Sequence, residues 1–344
     1  MSGGVDSSVA AALLQEAGHE VVGATMKLWS GPTDSGCCSL ADVRDARTVA
    51  DHLGIDHHVF GFTEEFDASV VAPYVADHAA GRTPNPCVEC NRHVKFRALL
   101  DRADRLGFDA IATGHHARVE RRGSRWALRR GADAAKDQSY VLSVLTSSEL
   151  SRVLLPVGEL TKSEVRAAAS ARGLATAAKP DSQEVCFVGA GPDGSRSGDA
   201  GRAAFLGSRI TLHAGTVVDV ESGQELGSVD AVELVTVGQR RGLPGGGAAR
   251  RYVVGVDVAA RRVLVGRREH LGVDELVLAS RTWVDEPLDV GERCAVQASA
   301  HGRALAAELT ESGVRYLEPA RRVAPGQLVA CYVGEDVVGS GVVC

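Results

Sequence analysis

Residues 2–8 read Ser-Gly-Gly-Val-Asp-Ser-Ser and run straight into an apolar helical stretch from Val5 to about Ala17. This heptad restricts the fold more than any other segment. Gly3 and Gly4 let the backbone turn sharply and approach a ligand with no Cβ in the way. Ser2, Ser7 and Ser8 add hydroxyl donors. The helix that follows aims open N–H groups and its positive dipole end at the same point. Such a loop is an anion cradle, and its natural guest is a phosphate chain. No Gly-Lys-Ser/Thr follows, so the loop is not of the Walker A kind. A glycine turn that merely caps a helix accounts for a bare Gly-Gly better than for the whole heptad.

The heptad resembles the pyrophosphate loop of the N-type ATP pyrophosphatases. That resemblance implies an enzyme that cuts ATP between the α and β phosphates, adenylates a carbonyl oxygen and releases pyrophosphate. A loop of this kind is expected to follow a buried strand. Relatives carry a short apolar strand there, whereas this heptad begins one residue after Met1. The expectation is a start assigned late, at an internal Met; the alternative is a sheet that lacks its first strand.

The first half of the chain alternates strand and helix patterns. Strands are expected at Glu20–Trp29, His57–Phe60 and Asp109–Thr113. Helices are expected from Ser39, as cap, to Leu53 with Gly54 beyond it, over Glu64–Ala80, and over Asn91–Leu106 with Gly107 as the stop. Repeated βα units imply an α/β, doubly wound parallel sheet, with ligands beyond the carboxyl ends of its strands. The composition changes near residue 189. Gly189–Arg202 is rich in Gly, Ser and Asp and reads as a linker. Hairpin patterns follow: one around Ser208–Val220 with Glu-Ser-Gly-Gln as its turn, another pairing Tyr252–Val256 with Arg262–Gly266, with a glycine-rich loop at Gly242–Gly247 between them. From about Val273, alternating strands with Gly and Pro turns predict a small β-barrel. The expected domains are therefore 1–190 (catalytic), 203–270 (small, mostly β) and 271–344 (barrel), which 344 residues can supply with real cores.

A net charge of −6 does not announce a nucleic-acid partner. Arginines are clustered, however, at Arg118, Arg121, Arg122, Arg125, Arg129 and Arg130, at Arg240, Arg241, Arg250 and Arg251, and at Arg321 and Arg322. Each cluster reads either as a local phosphate footprint or as a solvated face. With no signal peptide and no long apolar run, the chain reads as soluble, cytoplasmic and without a membrane partner. Eight cysteines without a secretory signal point to catalysis, redox or metal work rather than a disulfide framework.

Two segments carry the cysteines of interest. In Thr83-Pro84-Asn85-Pro86-Cys87-Val88-Glu89-Cys90-Asn91 the prolines hold the approach extended. Cys90 is expected at or near a helix start, where the dipole favours the thiolate. Asp181-Ser182-Gln183-Glu184-Val185-Cys186-Phe187 offers a further cysteine in a polar loop. On spacing alone, Cys87-x-x-Cys90 stays open between a redox pair, half a zinc site and chance, and Cys186 between function and plain burial.

The ordered series Ser-Gly-Gly-Val-Asp-Ser, Gly-Arg-Thr-Pro-Asn-Pro-x-x-x-Cys-Asn, Ala-Thr-Gly-His, Lys-Asp-Gln-Ser-Tyr, Asp-Ser-x-x-x-Cys-Phe and Gly-Gln-Arg-x-Gly-Leu spans almost the whole chain. It resembles the bacterial and organellar tRNA-specific 2-thiouridylases. The resemblance implies ATP-dependent replacement of the C2 oxygen of the wobble uridine by sulfur, with ATP and Mg2+ as cofactors. The partners it implies are tRNA and a cysteine desulfurase or sulfur-relay protein as donor. Carried over position by position, Ser2, Gly3, Gly4, Val5, Asp6, Ser7 and Ser8 would hold the ATP phosphates. Met26 would pack on the adenine, and Gly114 would let the nucleotide approach the backbone. Cys186 would carry the persulfide. Cys90 would be the nucleophile that resolves it, through a transient Cys90–Cys186 disulfide. Asn85, Pro86 and Cys87 would lie against the target base, which must leave its stack to be modified. His115, Lys136, Asp137, Gln138 and Gln327 would contact tRNA, and Gln239–Gly242 would belong to the middle domain. Plain structural readings compete at Met26, as sheet core, at His115, as a satisfied histidine, and at Lys136–Gln138, as a turn.

Two positions depart from the family pattern. Many relatives have Asp where this chain has Cys87, which opens an alternative: Cys87, Cys90 and Cys186 as three ligands of an iron–sulfur cluster. A barrel strand that carries Arg-Tyr in relatives corresponds here to Ala298-Ser299-Ala300-His301, so no tRNA contact is nominated there. Cys37, Cys38, Cys294, Cys331 and Cys344 receive no role. A rival with the same loop, an amide-forming ligase, does not need the cysteine pair, and a non-catalytic RNA-binding protein does not need the intact heptad.

Overall fold

The computed structural model describes residues 1–29, 39–181, 185–188, 198–244 and 250–344. The expectations for Cys37, Cys38, 182–184, most of the 189–202 linker and the end of the 242–247 loop lie outside the described residues.

The first part is built from short parallel pairs with helices around them. Its strands are β1 (Gly23–Lys27), β2 (His57–Gly61), β3 (Ile111–Ala112), β4 (Ala117–Arg122), β5 (Arg125–Arg130) and β6 (Val153–Leu154). β1 pairs with β2, and β3 with β6, both in parallel, as βα alternation demands. Among the described residues the two pairs do not join into one sheet. The amino-terminal segment lies between them. Met1 donates its amine to Ala24 O and accepts from Thr25 Oγ1 at 2.7 Å, and Gly114, just past β3, abuts the Asp6–Ser7 backbone.

Local signals explain the helix ends. Leu40–Leu53 is capped by Ser39, whose Oγ accepts from the Asp42 N–H at 3.1 Å, and it ends at Gly54 with φ 68°. Lys162–Ala171 opens with a full capping box between Thr161 and Glu164. The helix expected from Asn91 begins earlier, at Pro86. Proline suits a first helical position because its fixed φ fits and its missing N–H would be unpaired there anyway. The helical run continues to Leu106, and its Cys90–Ala98 stretch is π-wound.

The second part is a four-stranded sheet in the order β8 (Glu225–Val229), β7 (Gly215–Asp219), β10 (Arg262–Gly266), β9 (Tyr252–Asp257). The two hairpins predicted from sequence are β7–β8 and β9–β10. The segment read as a linker ends instead in a helix, Gly198–Gly207. Phe205 and Leu206 account for it, since both are buried and give the helix an apolar anchor.

The third part is a closed six-stranded barrel: β11 (Gly272–Trp283), β12 (Arg293–Gln297), β13 (Leu305–Leu309), β14 (Gly313–Arg321), β15 (Leu328–Val333) and β16 (Asp336–Val343). Closure comes from β11, which pairs with both β14 and β16. One edge of β16 is shared: it pairs with β11 from Gly339 to Val343 and with β5 at Asp336 and Val337. The β4–β5 hairpin of the first part thereby extends the barrel sheet.

That hairpin carries the first arginine cluster, which is an internal clamp. Arg129 pairs with Glu335 at 2.8 Å and Asp336 at 3.1 Å, Arg118 with Glu335 at 2.9 Å, and Arg125 with Asp285 at 2.9 Å. Arg130 stacks on the Tyr332 ring at 3.7 Å. Beneath it, Leu128, Tyr140, Leu142 and Leu145 form one buried core with Leu328, Ala330, Tyr332 and Val337 of the barrel.

Candidate active site

The phosphate-loop heptad is held open. Gly3 has φ 70°, and a Cβ there would sit 2.3 Å from Asp42 O, so only glycine fits. Gly4 is the helix N-cap and carries no capping side chain, which leaves the first-turn N–H groups of Val5–Glu16 without a side-chain acceptor. Ser2 and Ser7 set their hydroxyls 3.2 Å apart. Ser8 turns inward, buried, and donates to Gly4 O at 2.9 Å. Val5 is core.

Asp6 is the charged member of the loop. Lys162 Nζ lies 2.7 Å from both of its oxygens, and His116 Nε2 lies 3.2 Å away. Burial alone would raise its pKa, but the bonds from His116 and Lys162 outweigh burial and hold it below the ordinary aspartate value. Lys162 also reaches Asp181 at 2.9 Å, as do Lys136 at 2.8 Å and Arg166 at 3.0 Å. Burial would raise the Asp181 pKa, but Lys136 and Lys162 overcome it and hold Asp181 at about 2. Lys162 thus ties the phosphate loop to the start of the segment that carries Cys186. Sequence reasoning missed it, because Thr161-Lys162-Ser163-Glu164 reads first as a helix cap.

The nucleotide-side candidates have protein partners. A Cβ at Gly114 would meet Asp6 C and Ser7 N at 2.6 Å, so this glycine lets β3 approach the phosphate loop itself. Met26 is half-buried against the apolar cluster around Cys90. His115 hydrogen-bonds Thr113 Oγ1 at 2.8 Å and lies 5.7 Å from the Phe96 ring. Burial, with help from the Lys95 and His116 charges, pushes its pKa down to about 3, so it is neutral at physiological pH.

Lys136, Asp137 and Gln138 are all engaged within the protein. Gln138 Oε1 accepts from the His116 N–H at 2.8 Å. Asp137, 6% exposed, accepts from Gly131 N, Ser139 N, Ser139 Oγ and Arg130 Nη1 at 2.9–3.0 Å. Gln327 donates to Thr83 O at 2.6 Å, and Thr83 N donates to Pro325 O at 2.7 Å, so the barrel grips the start of the cysteine segment. In the middle part, Gln239 closes its own turn through Thr236 N and Arg241 O.

The cysteine helix differs from expectation in one respect. Asn85 Oδ1 accepts from the Cys87 N–H at 3.2 Å and caps the helix that opens at Pro86. Cys90 N–H is already bonded to the carbonyls of Pro86 and Cys87. The helix-start position therefore falls to Cys87, which is exposed, and Cys90 lies one turn deeper, 6% exposed. Cys90 is part of an apolar cluster with Leu28, Phe66, Tyr74, Val94 and Phe187, and Cys186 packs against that same cluster. Phe187 fixes the position of Cys186, with its ring 5.3 Å from Tyr74, 5.6 Å from Phe66 and 5.1 Å from Phe205. Among the described residues no three His, Cys, Asp or Glu side chains are arranged to hold a metal ion, Cys87, Cys90 and Cys186 included. No helix among them is long and apolar enough to cross a membrane.

Comparison with known proteins adds to this geometry. Residues 1–190 match the family described as tRNA methyl transferase HUP domain, 203–267 the tRNA methyl transferase PRC-barrel domain, and 273–343 the aminomethyltransferase beta-barrel domain. The chain is 47% identical over 356 residues to the tRNA-specific 2-thiouridylase MnmA of Acidothermus cellulolyticus, covering all of this chain and 96% of that protein. It is 46% identical to the proteins of the same name from Thermobifida fusca and Beutenbergia cavernae, again over the whole chain and 94% and 93% of theirs.

Proposed function

The chain belongs to the tRNA-specific 2-thiouridylase family, and from that premise we propose that it is an ATP-dependent sulfurtransferase acting on the wobble uridine of tRNA. The uncapped helix start at Gly4, with Ser2 and Ser7, suits the phosphates of ATP, which would arrive with Mg2+. The uridine C2 oxygen attacks the α-phosphate, pyrophosphate leaves, and AMP becomes the leaving group at C2. A cysteine desulfurase or relay protein loads Cys186 with a persulfide. Its outer sulfur attacks C2 and expels AMP. Cys90 thiolate then attacks Cys186 Sγ, and the bond to the outer sulfur breaks. Thiouridine departs, and a Cys90–Cys186 disulfide remains.

One observation carries this reading: two cysteines far apart in sequence, Cys90 and Cys186, both pack on a single apolar cluster. An amide-forming ligase has no use for that pair. The test is anaerobic thiolation by the full chain with ATP, Mg2+, tRNA and a cysteine desulfurase, reading pyrophosphate, AMP and thiouridine together. Cys186→Ser is expected to release pyrophosphate but neither AMP nor thiouridine, and Cys90→Ser to release AMP and stall with the tRNA disulfide-linked to Cys186. Wild-type thiouridine retained in Cys186→Ser would overturn the proposal.

A further inference from the structure

Two side-chain paths run from the Lys136–Gln138 turn to one carboxylate of the phosphate loop. Lys136 and Gln138 flank the buried Asp137 and are themselves partly exposed, the Lys136 side chain to 40%. The first path is neutral. Gln138 grips the His116 backbone twice: its Oε1 accepts from the His116 N–H, and its own N–H donates to His116 O, both at 2.8 Å. His116 is 3% exposed, and its Nε2 lies 3.2 Å from Asp6 Oδ1. Its Nδ1 is buried with no hydrogen-bond partner among the described residues. Buried polar atoms that serve only the core are paired, whereas this ring spends its bond on the phosphate loop, with Nε2–H as the donor. The second path is ionic. Lys136 lies 2.8 Å from Asp181, Asp181 lies 2.9 Å from Lys162, and Lys162 lies 2.7 Å from both Asp6 oxygens. Asp133 ties the two lysines of this path together. Its Oδ2 accepts from the Lys162 N–H at 2.9 Å, and its carbonyl accepts from the Lys136 N–H at 3.0 Å. Both paths end on Asp6, beside Ser7, whose hydroxyl lies 3.2 Å from that of Ser2. Gly114 presses on the Asp6–Ser7 backbone, where a Cβ would come within 2.6 Å, so the segment that carries His116 and the loop have little slack between them.

We propose that His116 and Lys162 are positioning residues that make the hold on ATP depend on tRNA seated at Lys136 and Gln138, an inference that rests on the thiouridylase reading of the chain. Neither residue touches the reacting atoms; both act through Asp6. A tRNA brings phosphate oxygens to the Lys136 ammonium and sugar or phosphate acceptors to the Gln138 amide. Fixing that turn fixes the far ends of both paths, so Asp6 and the loop beside it lose freedom before the nucleotide arrives. Ordering entropy then opposes nucleotide binding less, and the coupling is positive. It is also reciprocal, so ATP strengthens tRNA binding by the same factor. Such coupling keeps ATP from being gripped, and cut by water, when no uridine is present to receive AMP.

The test measures the affinity of the full chain for α,β-methylene-ATP with Mg2+, by equilibrium dialysis, with and without a saturating tRNA transcript that has uridine at the wobble position. This analogue cannot be cut between its α and β phosphates. In wild type, tRNA should tighten the analogue about tenfold. His116→Phe and Lys162→Met each remove one path and should leave about threefold, and the double variant a ratio of about one. His116→Gln, whose amide N–H can stand in for Nε2–H, should restore the wild-type ratio. A merely loosened structure weakens the analogue equally with and without tRNA and leaves the ratio unmoved; each variant is measured below the onset of its thermal unfolding. Hydrogen exchange at the amides of residues 3–8 should slow on adding tRNA alone in wild type and not in the double variant. A wild-type ratio of about one, with both ligands bound, would overturn the coupling and leave the thiouridylase reading standing. So would a ratio of about ten kept in the double variant. Wild type that binds neither the analogue nor tRNA would overturn both.

Discussion

Asp137 separates two accounts of the Lys136–Gln138 segment. If the segment faces tRNA, losing the carboxylate weakens binding and leaves stability alone. The structure places it as a buried junction between the first part and the barrel: it accepts from Gly131 N, Ser139 N, Ser139 Oγ and Arg130 Nη1, and Ser139 Oγ lies 3.1 Å from Tyr332 Oη. Asp137→Ala strands two backbone N–H groups and leaves the Arg130 guanidinium without its carboxylate. Removing one partner of a buried pair costs about 3–5 kcal/mol. Arg130 is 28% exposed and keeps Gln297 Oε1 at 2.8 Å, so the low end, about 3 kcal/mol, applies. At about 2–4 °C per kcal/mol the melting midpoint should fall roughly 6–12 °C. Asp137→Asn keeps one acceptor and should lose about half of that. The assay is thermal unfolding of the full chain beside tRNA binding at fixed salt. A midpoint within about 2 °C of wild type, with weakened tRNA binding, would refute the junction account.

Two further outcomes follow from the charged groups. Lys162→Met should cost about 1–2 kcal/mol, because Asp6 keeps His116 and Asp181 keeps Lys136 and Arg166. It should also slow pyrophosphate release, and wild-type values for both would remove Lys162 from the site. On acidification, His115 at about 3 stays neutral in the folded chain while the unfolded chain protonates near about 6.5. The unfolded state therefore binds the extra proton, and stability falls as pH drops from about 6.5, by at most about 1.4 kcal/mol per unit for this group. His57 and His78, also pushed down by burial, add to that slope. Asp181, at about 2, acts lower: its stabilisation is present above the ordinary aspartate value of about 3.9 and is lost as pH falls toward 2. His115→Asn should flatten the denaturation slope between about pH 6.5 and 4, and an unchanged slope would mean that the folded chain lets His115 protonate.

Much of this was legible because its causes are local. Ser39 and Gly54 bracket a helix through their own backbone preferences, and the heptad advertises its geometry through Gly3. The parts that were not legible have causes far away in sequence. The arginines of β4 and β5 read from sequence either as a phosphate footprint or as a solvated face, until Glu335, Asp336 and Asp285 arrive from the barrel to pair with them. Cys90 was expected at a helix start because the prolines suggested an extended approach. Pro86 instead serves as the first helical residue and moves the start back to Cys87. Lys162 looks like a surface lysine beside a cap, and only the fold brings Asp6 and Asp181 to it.

The same long-range logic applies to the two cysteine segments, which are held by all three parts of the chain. Cys186 is positioned through Phe187, whose ring packs on Tyr74 and Phe66 of the first part and on Phe205 of the helix that leads into the second. Behind that cluster the second part is fastened by His78 Nδ1 to Glu233 O at 3.1 Å and by Arg202 Nη2 to Leu234 O at 3.2 Å. The segment that carries Cys87 and Cys90 is held from the barrel, through Pro325 and Gln327 on Thr83. Each cysteine is therefore braced by a different part, and their separation depends on how those parts sit against the first. An apolar cluster suits such a joint. Packing energy varies smoothly over small shifts, so the cluster tolerates small displacements of the residues packed in it, whereas a hydrogen-bonded joint would be lost within a fraction of an ångström. The proposed sulfur exchange would need that tolerance, because the partners of Cys186 would change at every step from persulfide to disulfide to thiol.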